Sequence, residues 1–187
     1  MSTIYYTATT LDGFLADPDH SLDWLFRQNQ GDGGPFGYEA FIANVGAIAM
    51  GATTYEWVRS HLAASGEPWP YKQPTWVFTH RDLPLIDGAD VRLTNGAVDR
   101  VHADLTRAAD GTDVWIVGGG ALAADFARAG LLDEIVVSIA PVTLGAGRPL
   151  LSGRFDLQLL DTGRNVDFVC ARYRVVGMLT EDLPDGE

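Results

Sequence analysis

Three consecutive glycines stand between an apolar run and an alanine-rich segment in the stretch DVWIVGGGALAADFARAG, residues 113–130. The apolar run predicts a buried strand, and the segment after the glycines predicts a helix. The first turn of a helix carries free main-chain N–H groups and a partial positive charge, which attract phosphate, and glycine leaves that main chain open. The pattern predicts a phosphate-binding corner or, alternatively, a tight strand–helix junction without a ligand. The residues of the predicted corner are Gly118, Gly119, Gly120, Ala121 and Leu122.

A second corner of this kind is predicted in MGATTYE, residues 50–56. Gly51 ends a short apolar run that reads as a buried strand. Thr53 and Thr54 follow it, and threonine favours the capped start of a helix. We therefore expect a second helix N-terminus here, with its free N–H groups able to face a phosphate.

A hydroxyl and a cation follow the apolar run TWVFT, residues 75–79. Thr79 ends that predicted strand, and His80 and Arg81 come next. The guanidinium of Arg81 suits bidentate contact with a phosphate, and the ring of His80 suits stacking on a base. The alternative is that Arg81 is a solvated loop cation and His80 a surface residue.

Three carboxylates are candidates for acid–base chemistry. Asp12 lies in LDG after the first predicted strand, where turn formation is the competing explanation. Glu39 lies early in a predicted helix, where a helix-start charge is the alternative. Asp23, in SLDWLF, is equally suited to capping a helical turn. Asp12 is the first candidate for polarising a substrate, and Glu39 is the second.

Strand and helix patterns alternate along the chain and must position these residues. Residues 27–36 and 61–74 are predicted to be surface loops within one domain, because each is short and a strand–helix unit resumes after it. The predicted strands are 3–9, 47–50, 75–79, 90–94, 114–117, 134–142, 155–163 and 166–176, and the predicted helices are 37–45, 53–63, 97–109 and 121–129. This order predicts an α/β fold in one domain, residues 1–187, with a mostly parallel central sheet, helices on both faces and an antiparallel C-terminal strand pair.

Charge and composition exclude several classes of partner. The net charge is -12 over 187 residues, which argues against nucleic acid and anionic membranes, since both bind basic surfaces. The one cysteine, Cys170, lies in an apolar run and is expected to be a packed core thiol. With no signal peptide and no membrane-spanning run evident, a cytoplasmic location is expected.

The motifs above resemble those of the dihydrofolate reductase-like superfamily, and within it the reductase domain of riboflavin-biosynthesis deaminase–reductases. The resemblance runs from Ile4 to about Val176. It is carried by TTLDGFLA (9–16), AMGATTYE (49–56), VFTHR (77–81), IVGGGALAADF (116–126) and LLDEIVVSIAPVTLGAGRPLL (131–151). No zinc deaminase signature is present, so the likeness is to the reductase half alone.

The resemblance implies NADPH as cofactor, bound across the carboxyl ends of the strands, with Thr79 and Arg81 at its 2′-phosphate. It also implies a cis peptide between Gly118 and Gly119, and pairing as a two-fold homodimer through the C-terminal strands. This chain departs from the family at Ala52, where an arginine is usual; one cation for the cofactor phosphates is therefore missing.

Three functions follow as hypotheses. The first is an NADPH-dependent oxidoreductase that transfers a hydride to a small heterocyclic or ribosyl-type C=N or C=O substrate of the pterin or pyrimidine kind. The second is a nucleotide-binding module without catalytic turnover. The third is an α/β interaction protein that binds no cofactor. No cluster of histidine and cysteine has the spacing of a metal site.

Overall fold

The computed structural model describes residues 1–29, 31 and 36–179. The strands are β1 (Thr3–Thr10), β2 (Phe14–Ala16), β3 (Val45–Gly51), β4 (Thr75–Phe78), β5 (Val91–Thr94), β6 (Asp113–Val117), β7 (Glu134–Ala140), β8 (Arg148–Pro149), β9 (Phe155–Asn165) and β10 (Phe168–Met178). The helices are α1 (Asp23–Phe26), α2 (Tyr38–Ile42), α3 (Ala52–Ser65), α4 (Val98–Ala109) and α5 (Gly120–Arg128).

One large sheet carries the fold. Its strand order is β5-β4-β3-β6-β1-β7-β10-β9. The strands from β5 to β7 pair in parallel, whereas β10 runs antiparallel to both β7 and β9. The predicted fold class, a mostly parallel sheet closed by an antiparallel C-terminal pair, is confirmed.

Helices cover both faces of this sheet because successive side chains of a strand point to opposite faces. On β6, Ile116 belongs to a core that contains Leu105 of α4 and Phe126 of α5. Its neighbour Trp115 belongs to a second core, on the other face, that contains Tyr55 of α3. The continuous apolar run in β6 thus reflects burial on two sides.

A third, smaller core lies beside the second one. It joins Trp24 of α1 to Phe168 and Cys170 of β10. Cys170 is fully buried, so the expectation of a packed core thiol is confirmed. The antiparallel pair therefore brings α1 onto the same sheet face as α3.

Helix α3 differs from its prediction at both ends. It begins at Ala52 with Gly51 as the N-cap residue and no side-chain cap, so the prediction that Thr53 and Thr54 cap it is wrong. Both threonines lie inside the first turn. The helix runs on to Ser65, into the predicted loop 61–74, because its alanine-rich end favours helix and only Gly66, at φ +75, ends it.

A short strand pair outside the large sheet escaped sequence prediction. Strand β2 pairs antiparallel with β8, Phe14 opposite Pro149 and Ala16 opposite Arg148. Strands of three and two residues are too short for an alternating pattern to reveal. The pair fixes residues 141–151, which follow β7, against the segment that follows β1.

Within the described residues, the structure contains no helix that combines the length and the apolar character needed to cross a bilayer.

Candidate active site

The carboxyl ends of β3, β6 and β1 form a switch point in the sheet. From β3 the chain moves outward to β4 and β5, and it then returns to insert β6 between β3 and β1. Loops on the two sides of such a point leave in opposite directions and open a crevice where ligands bind. Both predicted glycine corners, at Gly51 and at the triplet, follow strands that end there.

Thr54 and the glycine triplet meet in this crevice. A Cβ atom added to Gly118 would lie 3.0 Å from Thr54 Oγ1, and one added to Gly119 would lie 4.0 Å from it. Gly118 and Gly119 have φ values of +60° and +79°, which favour glycine. Two corners that are far apart in sequence, at residue 54 and at residue 118, therefore form one site.

The expectation of a cis peptide bond between Gly118 and Gly119 is wrong. The described chain contains no cis peptide bond. The reversal from β6 into α5 is made instead by two successive glycines in the left-handed region, a conformation that costs glycine little.

The start of α5 offers main-chain donors to this crevice. Gly119 is the N-cap residue, and the N–H of Ala123 is the first to bond back to it, at 3.1 Å to the Gly119 oxygen. Helix geometry leaves the N–H groups of Gly120, Ala121 and Leu122 without an intrahelical acceptor. Ala121 is exposed, whereas Gly120 and Leu122 are buried.

Close packing explains why residue 120 is a glycine. An added Cβ would lie 2.3 Å from the Pro149 oxygen and 2.5 Å from the Leu150 oxygen. The 141–151 segment thus crosses directly over the start of α5. Only the first two glycines of the triplet face the crevice, and the third makes room for main chain.

Gly51 is different, since nothing in the described protein lies within 4 Å of a Cβ added there. Its φ is −81°, which any residue adopts. The chain itself has no steric need for glycine at this position. Open space at a helix N-cap fits a ligand that approaches the main chain closely.

Arg81 lies at the same edge, beyond β4, and is held by Glu56 of α3. Its Nη1 and Nη2 atoms donate to Glu56 Oε1 and Oε2 at 3.0 and 2.7 Å. The Thr79 hydroxyl accepts from the Arg81 N–H at 2.9 Å and orders the turn. Arg81 is therefore an exposed cation that Glu56 holds in position. His80 between them is exposed.

Asp12 is bonded on three sides at the end of β1. It accepts from the Thr10 hydroxyl at 2.5 Å, from the Leu144 N–H at 3.0 Å and from the Gly145 N–H at 2.7 Å. The Thr10 hydrogen bond, followed by those main-chain bonds, lowers the pKa of Asp12 below its ordinary value of 3.8. An ionised carboxylate tied to the 141–151 segment suits positioning better than proton donation.

Asp12→Asn tests this tie. Because its pKa is lowered on folding, the carboxylate adds stability at pH values above 3.8, and that stability disappears as the pH falls through the lower folded pKa. We expect the wild-type melting temperature to exceed that of the variant at pH 6 and the gap to close in acid. Parallel melting curves from pH 6 to pH 2 measure it; a gap that is independent of pH contradicts the assignment.

Glu39 and Asp23 are both exposed, in the first turns of α2 and α1. Tyr38, beside Glu39, packs edge-on against Trp115, with ring centroids 5.8 Å apart. Trp115 precedes Gly118 by three residues, about 10 Å along a strand. The start of α2, where Glu39 lies, therefore covers the sheet face that carries Trp115.

Sequence reasoning missed one side chain and two main-chain carbonyls of this site. Glu56 was visible in the motif MGATTYE, but its pairing with Arg81 depends on how α3 lies beside β4. The carbonyls of Pro149 and Leu150 carry no sequence signal at all. Within the described residues, no three histidine, cysteine or acidic side chains come together as a metal site.

Comparison with known proteins points to one family. The RibD C-terminal domain family matches residues 2–169. The uncharacterized protein YwjB of Bacillus subtilis strain 168 is 33% identical over 150 residues, which cover 79% of this chain and 81% of YwjB.

Solved structures agree with this match. A protein of Shewanella sp. PV-4, whose name assigns it to riboflavin biosynthesis, shares 28% identity with a TM-score of 0.78 and covers 94% of this chain and 99% of its own. The deaminase/reductase of Thermotoga maritima shares the fold, at 15% identity and a TM-score of 0.64; the match covers 93% of this chain and 56% of that one. The resemblance drawn from the motifs is thereby confirmed, and the chain belongs to the RibD C-terminal domain family.

Proposed function

We propose that this protein is an NADPH-dependent reductase that acts on a small heterocyclic or ribosyl-type C=N or C=O substrate. The observation that carries the proposal is the meeting of Thr54 with Gly118 and Gly119 at the switch point of the sheet. The family supports the reaction class. The names of related structures, a uracil reductase and a pyrimidine reductase-like protein, support a pyrimidine-like ring.

The residues present fit the cofactor. The N–H groups at the start of α5 and the open space at Gly51 suit its phosphates, and Arg81 with Thr79 suits a 2′-phosphate. When bound, NADPH supplies the hydride, while the protein orients the reacting groups and provides a proton. Because residue 52 is an alanine and carries no positive charge, Arg81 contributes a larger share of the positive charge that binds the cofactor phosphates.

The proton at the substrate nitrogen or oxygen needs a separate source. The Asp12 oxygens accept hydrogen bonds from Thr10, Leu144 and Gly145. Asp12 therefore holds the 141–151 segment in place beside the end of β1. Glu39 is exposed and remains the candidate carboxylate for a proton or for an ordered water. Glu39→Gln should therefore lower kcat, whereas Asp12→Asn should mainly raise KM.

Titration with NADPH followed by a substrate panel tests the proposal. The reductase predicts a change in tryptophan fluorescence on binding and loss of the reduced-nicotinamide absorbance when substrate is added. A binding module predicts the first signal alone. An interaction protein predicts neither signal, and that outcome would overturn the cofactor site as well as the reaction.

A homodimer is the second part of the proposal. The outer strand β9 is exposed along most of its length, and it carries Leu157 and Leu159 at 41% and 54% exposure. A long edge strand with apolar side chains is a surface that proteins normally cover. A second copy of β9, related by a two-fold axis, would cover it.

Leu159→Lys tests this proposed interface between two copies of β9. A buried ammonium at a self-paired surface is strongly unfavourable, so we expect a dimer of the wild type to become a monomer. Sedimentation velocity measures the mass. Leu85→Lys, at 59% exposure in the loop between β4 and β5, is the matched control and should leave the mass unchanged. A Leu159→Lys variant that stays dimeric would show that the dimer does not form through β9.

A further inference from the structure

The ion pair of Glu56 and Arg81 lies where the proposed function places the adenosine ribose of the cofactor. The two side chains are 34% and 58% exposed, and both terminal nitrogens of the guanidinium donate to the carboxylate, at 3.0 and 2.7 Å. In dinucleotide sites of doubly wound α/β proteins, a carboxylate recognises a ribose 2′-hydroxyl, whereas an arginine accommodates a 2′-phosphate. This protein presents both groups at one place, bonded to each other.

The pair carries no net positive charge. Among the described residues, Arg81 is the only cation bonded to the Glu56 carboxylate, and the two charges cancel. Arg59 follows Glu56 by three residues, but its charge lies beside Tyr55, where burial raises the pKa of the hydroxyl and Arg59 opposes that rise. The Tyr55 hydroxyl donates to the Pro84 carbonyl at 2.9 Å. A 2′-phosphate therefore meets a neutral pair here instead of a free arginine.

A nucleotide with a 2′-hydroxyl can bind beside this pair without breaking it. Each Glu56 oxygen accepts one hydrogen bond from Arg81, so each keeps a lone pair that can accept from a hydroxyl. An ionised 2′-phosphate only accepts, so it must draw Arg81 away from Glu56 and then lies next to an unpaired carboxylate. Repulsion between the two anions offsets part of the gain from the new bond to Arg81.

The alanine at residue 52 explains why Arg81 stays with Glu56. Residue 52 is the first of α3 and precedes Glu56 by four positions, a spacing at which opposite charges pair on a helix. An arginine there would give the carboxylate a second partner and release Arg81 for a ligand. With Ala52 in that place, Arg81 is the only described residue that pairs with Glu56.

We propose that this protein binds NADH as well as NADPH, and that Glu56 is the residue that decides between them. The inference rests on the proposed function for the place of the adenosine ribose. Glu56 accepts a hydrogen bond from the 2′-hydroxyl of NADH and holds Arg81 away from the 2′-phosphate of NADPH. The dissociation constants of the two nucleotides therefore differ by less than about ten-fold.

Calorimetric titration of the whole chain with each nucleotide, without substrate, tests this inference. For the wild type we expect dissociation constants within about ten-fold of each other. Glu56→Gln keeps an acceptor oxygen for the hydroxyl but removes the charge, so NADPH should bind at least about five-fold more tightly while NADH changes by less than about two-fold. Ala52→Arg leaves the carboxylate in place and should raise the preference for NADPH at least about three-fold.

Asp90→Asn is the matched control, because it removes the carboxylate of another exposed ion pair, that of Asp90 with Arg92 at the amino end of β5. It should leave both affinities unchanged. Wild-type dissociation constants that differ by more than about ten-fold, or a Glu56→Gln variant that binds both nucleotides as the wild type does, overturn the inference and leave the proposed function standing. Absence of binding by either nucleotide at millimolar concentration overturns both.

Discussion

Gly120→Ala is expected to destabilise the fold by about 3 kcal/mol, because one added methyl group has nowhere to go. Its carbon would lie 2.3 Å from the Pro149 oxygen and 2.5 Å from the Leu150 oxygen, and both belong to main chain that cannot rotate aside. The Tyr5 hydroxyl donates to the same Leu150 oxygen at 3.0 Å, which ties the segment to β1. Chemical denaturation of the variant measures the loss.

Gly51→Ala is the control for this prediction and a probe of the site. Its methyl group would meet no atom of the described residues within 4 Å, and its φ of −81° suits alanine. We expect unfolding free energy close to wild type but weaker NADPH binding, since the methyl group occupies space assigned to the cofactor. A Gly120→Ala variant as stable as Gly51→Ala would contradict the close crossing of the 141–151 segment over α5.

Arg81→Gln is expected to weaken NADPH binding by roughly 10- to 100-fold, since a charge-assisted bond to phosphate contributes about 1.5–3 kcal/mol. NADH lacks the 2′-phosphate, so its affinity should change little. Glu56→Gln should have the opposite effect: it frees the guanidinium from its two hydrogen bonds and removes a negative charge beside the phosphate site. Calorimetric titration with each nucleotide measures the preference.

Arg92 provides the matched control for Arg81. It is another exposed arginine, on the outer strand β5, with two hydrogen bonds to one carboxylate, that of Asp90, at 3.1 and 3.0 Å. Arg92→Gln should leave both nucleotide affinities unchanged. Equal losses for NADPH and NADH in Arg81→Gln would show that Arg81 holds a part common to both nucleotides, and would remove the 2′-phosphate assignment.

Much of the fold was predictable from local pattern. The apolar run at residues 114–117 and the alanine-rich segment after it became β6 and α5 with boundaries shifted by one residue. The elements that prediction missed, α1, β2 and β8, are two to four residues long. Such short elements form because neighbours hold them in place, so their own residues carry little signal.

The candidate site also has features that local sequence predicts and contacts that it does not predict. Local pattern was enough to predict the alternation of strands and helices, the glycine corners, the cation after β4 and the family, because each depends on residues adjacent in the chain. Which groups meet could be read only from the folded chain. Thr54 reaches Gly118, Glu56 holds Arg81, Asp12 binds the N–H groups of residues 144 and 145, and Phe26 stacks beside Trp57. These contacts join distant segments through the order of strands in the sheet, and local sequence preference does not encode that order.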